Sequence, residues 1–307
     1  MASSTPTVII FGAAGAVGRA AAIEAHSRGA RIFLAMRSTQ KPIPGLPREL
    51  EEKSSFTRIE ADLLNPDSIR NAISKSGATV AFTYLIHQAK DAMKSAFGAM
   101  KEAGIKRIVF LSSYTVYPDR EAAAKGKHAI AGLHARAEVS LVEAGLPSTI
   151  LRPMYFSSNI SSEAEDVKNG EVYLLRPGAI SDYLAPEDIG SVAGVKLAQQ
   201  TTESEIIPLC GPELLSQREA WEIVSKELGR EIKIKEIGED EFLSRQQVPP
   251  PLARCLADYW LEGEEASARY PADRYKEASA TMTKYTGRES TTFPQWIKAH
   301  KSEIFDA

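Results

Sequence analysis

The chain has 307 residues, 37 Lys+Arg against 40 Asp+Glu (net charge −3), 43% hydrophobic and 25% charged residues. This is enough chain for a large domain or a main domain with an appendage, and the near balance of charge gives no reason to bind nucleic acid or an anionic membrane surface. No apolar run reaches the roughly 18 residues of a membrane helix, and the two cysteines, Cys210 and Cys255, lie too far apart for a zinc set and read as buried small apolar residues.

The first half alternates strand and helix patterns. Thr7–Phe11 is an apolar strand, followed at once by Gly12-Ala13-Ala14-Gly15-Ala16-Val17-Gly18 and the alanine-rich helical stretch from Arg19 to Ala25. Arg31–Met36 is a second buried strand. The loop from Thr39 to Pro47 holds three prolines and is not regular structure. Phe56–Glu60 is a third strand. Asn65 caps a helix with Pro66 in its first turn. Strands over Thr79–Tyr84, Arg107–Leu111 and Ser148–Leu151 follow, with a helix over Ala89–Ala103 closed by Gly104. Repeated units of this kind predict an α/β protein: a doubly wound parallel sheet covered on both faces. The second half is mostly helical: a strand over Glu171–Leu175, a helix from Pro186 toward Gln200, a capping box at Ser216 and Glu219, a strand over Glu231–Ile237, a helix from Pro249 and a short closing helix over Phe293–Ile297. We therefore divide the chain into a dinucleotide-binding core over 1–153 and a smaller substrate-covering region over 154–307, some of whose segments return to the sheet.

Strand, glycine turn and helix in direct succession is the setting in which a glycine pattern becomes a phosphate site. Glycines allow a tight turn and close approach to a pyrophosphate, and the helix N-terminus offers free N–H groups to the anion. At the end of the second strand, where an NAD-preferring site carries an acid, the chain has Met36-Arg37-Ser38 and then Lys41. The missing acid and the planar, permanently charged Arg37 point to a 2′-phosphate and hence to NADP(H), with Lys41 in support. Asp62 follows the third strand and is either an adenine contact or a turn residue.

These positions together resemble the NmrA-like branch of the short-chain dehydrogenase/reductase superfamily, of the atypical kind. The resemblance is carried by Gly12-x-x-Gly15-x-x-Gly18, Arg37, Asp62, the run Ile108–Tyr114, Ala144–Pro153, Tyr155–Asn159, Glu187–Gly190 and Gly211–Glu213. It implies a Rossmann-type fold, and an NADPH-dependent oxidoreductase acting on a small conjugated carbonyl, quinone or imine. The family also includes NADP-binding redox sensors that regulate a protein partner. The cofactor surface is expected at Gly12, Ala14, Gly15, Ala16, Val17, Gly18, Arg37, Lys41, Asp62, Leu63, Thr83, Tyr84, Ser112, Pro153 and Tyr155, and the substrate surface at His87, Ser113, Phe156 and Asn159.

Ordinary short-chain dehydrogenases use Tyr-x-x-x-Lys, in which the tyrosine supplies the proton. No such pair occurs here: Tyr114 is followed four residues on by Pro118, and Tyr117 by Glu121. His134 stands where the family often has lysine. It is read as a ribose contact, a proton donor with an ordinary pKa near neutrality, or a surface histidine. Tyr114 and Lys127, the latter folded into the cleft, are the other catalytic candidates. Ser113 and Tyr114 either bond a substrate oxygen or satisfy loop backbone. Tyr155, Phe156, Tyr183, Phe242, Tyr259 and Trp260 are either core or a substrate lid. No metal site is expected. Residues 1–6 lack the pattern of a signal peptide and the cysteines need no oxidising compartment, so a cytoplasmic setting is expected.

Overall fold

The computed structural model describes residues 5–46, 51, 56–262 and 269–306. Its frame is a seven-stranded parallel sheet in the order β3-β2-β1-β4-β5-β6-β9: Phe56–Glu60, Arg31–Met36, Thr7–Phe11, Val80–Tyr84, Arg107–Leu111, Ser148–Pro153 and Glu205–Leu209. The chain order reverses between β1 and β4, which opens a crevice at the carboxyl ends of those strands, the place where such sheets bind ligands.

Alternation along β1 divides the core. Val8 and Ile10 face helices α1 (Ala16–Ser27) and Pro186–Ala198; Ile9 and Phe11 face α2 (Pro66–Ser76), α3 (Lys94–Glu102) and Ala129–Glu143. Asn65 caps α2 by accepting from the N–H groups of Asp67 and Ser68, with Pro66 in the first turn as expected. The helix expected from Ala89 begins later, at Lys94. Ala92 and Met93 hold φ of +51° and +64°, and the Asp91 carboxylate accepts from Ser95 N–H at 2.8 Å. Burying Met93 in the core keeps that turn from becoming helix.

Beyond the helices α4 (Arg120–Lys125), α5 (Ala129–Glu143) and α6 (Ala164–Lys168), the second half does not sit apart from the sheet. Helix α7 (Pro186–Ala198) lies against α1 closely enough that a Cβ at Gly194 would stand 2.8 Å from the Ala21 carbonyl oxygen, and β9 pairs with β6. Residues 186–209 are therefore part of the core. The remainder is built from two small sheets, β7 (Glu171–Leu174) with β11 (Lys233–Glu236) and β8 (Ile180–Ser181) with β10 (Leu215–Ser216). Helices α8 (Gln217–Leu228), α9 (Glu239–Arg245), α10 (Pro250–Leu261), α11 (Ala272–Ser279), α12 (Thr281–Thr286) and α13 (Phe293–Phe305) complete it. The capping box at Ser216 and Glu219 forms as expected. The closing helix runs to Phe305, well beyond Ile297, because Trp296, Ile297 and Phe305 pack into one cluster with Trp221. Among the described residues no helix is long and apolar enough to cross a membrane.

Candidate active site

The crevice begins at the glycine turn. Gly12 holds φ +77°, and Gly15 N–H returns to its carbonyl at 3.0 Å. A Cβ at Gly18 would stand 2.5 Å from that same carbonyl oxygen. No side chain caps the start of α1. Gly12, Ala14–Gly18, Phe82, Tyr84, Leu111, Phe156, Ser158 and Pro186 line a cavity of about 380 Å³ there. A turn packed too tightly for side chains, opening on an uncapped helix start, fits a pyrophosphate. The Tyr84 ring lies across Gly12. Burial raises the pKa of its phenol, Arg37 partly offsets this and Asp62 adds to it, so both charges act on the same ring.

A cleft of about 570 Å³ continues from this cavity and shares Tyr84, Leu111 and Phe156 with it. His87, Ser112, Ser113, Tyr114, His134, Pro153, Tyr155 and Asn159 line it, so the cleft and the glycine-turn cavity together gather most of the expected cofactor and substrate residues. On α5, Ile130 and His134 face this cleft four residues apart. An aliphatic side chain and an imidazole thus occupy a spacing like that of an acid and its lysine. Burial, with His87 adding, pushes His134 down to about 3, so its ring is neutral near pH 7. The expectation of an imidazolium proton donor is corrected on this ground; a hydrogen-bonding role remains. His134 Nδ1 is buried with no partner among the described residues.

Several expected residues take other positions. Lys127 is exposed and not part of the cleft wall. Thr83 is fully buried in β4, its hydroxyl has no hydrogen-bond partner among the described residues, and it is not part of the wall of either cavity. Ser112 donates to Glu138 at 2.5 Å, and Arg152 grips the same carboxylate at 2.6 and 3.0 Å, so the serine hydroxyl is spent on a buried network. Asp62 accepts from Leu64 N–H at 2.9 Å, the turn role. Leu63 packs on the core. Arg37 is exposed beyond β2, and so is Lys41, whose carbonyl accepts from Arg58 at 2.6 Å. Ser113 caps the short turn at Tyr114–Val116, accepting from Thr115 N–H at 3.3 Å. Tyr114 stacks on Tyr117, and its hydroxyl accepts from Arg274 at 3.2 Å.

The far wall was not legible in advance. His128, Ile130, Met154, Cys255, Leu256, Asp258, Glu262 and Arg269 also line the cleft. Of the aromatic residues read as core or lid, Tyr155, Phe156 and Tyr259 line the cleft, whereas Tyr183, Phe242 and Trp260 are buried. Behind this wall Asp182 is fully buried and accepts from Tyr155 N–H at 3.0 Å, Gly211 N–H at 2.8 Å and the Tyr270 hydroxyl at 2.8 Å. Gly211-Pro212-Glu213 could have pointed to this hub, but the partner at Asp182 carries no local signature.

Fold and crevice together define a protein of the Rossmann-type class that binds a nicotinamide dinucleotide. An NAD(P)H-binding family model matches residues 12–181. A nitrogen metabolite regulation-like protein of Gibberella fujikuroi is 33% identical over 97% of this chain and 98% of its own. A (4-alkanoyl-5-oxo-2,5-dihydrofuran-3-yl)methyl phosphate reductase of Streptomyces griseus is 25% identical over 95% of this chain and 97% of its own. The fold is also that of an NADPH-dependent quinone oxidoreductase of Escherichia coli solved with NADPH, with a TM-score of 0.73, 19% identity, and coverage of 95% of this chain and 99% of that one. The chain belongs to the NAD(P)H-binding family and, within it, to the NmrA-like proteins.

Proposed function

We propose that the protein is an NADPH-dependent reductase of a small conjugated carbonyl, quinone or imine. The observation that carries this is the 570 Å³ cleft, which joins the phosphate turn through Tyr84, Leu111 and Phe156 and is closed on its far side by Tyr155, Tyr259 and Arg269. A protein that only sensed its dinucleotide would need no second chamber. NADPH, when bound, supplies the hydride. The glycine turn holds the pyrophosphate; Arg37, with Lys41, meets the 2′-phosphate; Tyr155 and Phe156 give an apolar face that keeps water from the reacting carbon. The neutral His134 donates or accepts one hydrogen bond toward the cofactor ribose or the substrate. The test is NADPH oxidation with a panel of quinones, enones and cyclic imines; no oxidation above background across that panel rejects the reading.

A second reading is a non-catalytic NADP(H) sensor acting on a protein partner. Ile130 and His134 in place of an acid–lysine pair favour it, as does the likeness to a regulation-like relative. Partner capture that differs between NADPH and NADP+ supports it; equal capture in both states rejects it.

A further inference from the structure

A reductase without Tyr-x-x-x-Lys still has to deliver one proton for each hydride. Behind the cleft wall runs an unbroken line of hydroxyl groups. Tyr259, in the wall, places its hydroxyl 2.7 Å from Ser181 Oγ and 3.1 Å from the Tyr270 hydroxyl, and Tyr270 stands 2.8 Å from the Asp182 carboxylate. The Tyr259 ring is held in place on both sides: Tyr155 stacks on it at 5.3 Å, and the Arg269 guanidinium lies 3.6 Å from its centroid. Two chain segments far apart in sequence, 181–182 and the stretch that carries Tyr259, Arg269 and Tyr270, converge to make this line. A purely apolar wall would have needed none of these hydroxyls, and burying them unpaired would be costly.

We propose that Tyr259 is the catalytic residue that protonates the reduced substrate, with Tyr270 and Asp182 behind it as positioning residues that hold and resupply the proton. This rests on the reductase reading above. The balance closes without a free phenolate. The hydride leaves an anion on substrate oxygen or nitrogen. In the state that reacts, Asp182 carries a proton and donates it to Tyr270, which donates to Tyr259; the Tyr259 O–H bond breaks toward that atom as the Tyr270 proton moves to Tyr259 and the proton of Asp182 moves to Tyr270, which leaves Tyr270 donating to the ionised carboxylate. The negative charge ends on the Asp182 carboxylate, where Tyr155 N–H, Gly211 N–H and Tyr270 receive it. Burial lifts Asp182 to about 6 and Tyr259 to about 12, so the carboxyl group is the acid of the line and the phenols are its conductors. The titratable groups whose fields meet Asp182 are Tyr270 through the bond just given, and Tyr183, Cys210, Tyr259 and Tyr275, all held neutral with raised pKa values. Arg269, acting on Tyr259, is the permanent cation of the group.

The experiment uses the full-length protein and whichever panel compound the wild type reduces. NADPH affinity, single-turnover NADPH oxidation from pH 5 to 8, and the infrared carboxylic-acid band are measured for wild type, Tyr259→Phe, Tyr270→Phe and Asp182→Asn. The expected result is a wild-type rate that falls as pH rises through about 6, in step with loss of a carboxylic-acid band that Asp182→Asn lacks. Tyr259→Phe is expected to lose at least tenfold in rate with NADPH affinity unchanged, within the typical contribution of a general acid. Tyr270→Phe, which keeps the phenol at 259, is expected to lose the pH dependence. A wild-type rate and pH profile in Tyr259→Phe overturns the proposal while leaving the reductase reading intact. Failure of every panel compound overturns the reductase reading and this one with it. Absence of the carboxylic-acid band in wild type at pH 5 overturns the role of Asp182 whatever the activity.

Discussion

The two walls of the crevice are built by opposite means. The proposed phosphate wall is backbone: one turn, Gly12–Gly18, whose glycines at 12 and 18 leave no room for a side chain. The far wall is side chain: Asp182, Tyr259, Arg269 and Tyr270 come from separated segments and act only through what they touch. A local wall is sensitive to steric change and robust to chemistry; a dispersed wall is the reverse. Substitutions in each should therefore fail differently.

The largest effect is expected at Gly18→Val. Its Cβ would stand 2.5 Å from the Gly12 carbonyl oxygen, so the turn must open. NADPH affinity should fall by about 100-fold or more, roughly 2.7 kcal/mol, with the far-UV circular dichroism retained. Retained affinity would remove the turn from the cofactor site. Asp182→Ala should instead spare affinity and lower stability. It leaves a buried and a half-buried N–H group and a phenol without their acceptor, a loss of about 3 kcal/mol and a fall in Tm of roughly 5 °C. An unchanged Tm would show that the hub carries no weight. Arg37→Ala is milder than either: about a tenfold loss for NADPH and little change for NADH in parallel titrations. Equal losses for both dinucleotides would deny it the 2′-phosphate.

The smallest effect is a pH dependence. The folded Asp182 pKa, about 6, exceeds its ordinary value of 3.8, so the folded state holds its proton longer than the unfolded one. The stability this contributes is complete below about pH 4 and is lost as pH rises through 6. Thermal melts of wild type and Asp182→Asn should therefore diverge across that window, the wild type losing more Tm toward pH 7. Parallel curves would mean that the carboxyl group titrates alike in both states.

The same contrast explains what could be read from the chain. The first six strands of the sheet, the Asn65 cap, the Ser216 box and the glycine turn into helix α1 each rest on residues within a few positions of one another, and all formed as expected, whereas strand β9 went unread. The start of α3 did not, because Ala92 and Met93 take positive φ values to put Met93 into the core, which no helix propensity reports. The sequence left His134 open between a ribose contact, a proton donor and a surface histidine; the ring lines the cleft, and its lowered pKa comes from burial, which no local pattern reports. Lys127 showed the converse: a useful cation in sequence, turned to solvent in space. Arg269 and Asp182 lacked any motif, because a hydrogen bond between positions 182 and 270 leaves no periodic trace.

The pairing of β9 with β6, and of helix α7 with α1, has a consequence for synthesis of the chain. The Val8 and Ile10 side of the sheet is covered in part by Ile189, Val192 and Ala193, which leave the ribosome long after the strands they protect. Until then one flank of the nascent sheet and the edge of β6 stand open, a template for wrong pairing. A fragment ending at residue 153 should be insoluble where one ending after residue 209 is not, so the smallest autonomous unit is set by the returning strand and not by the last residue of the nucleotide motif.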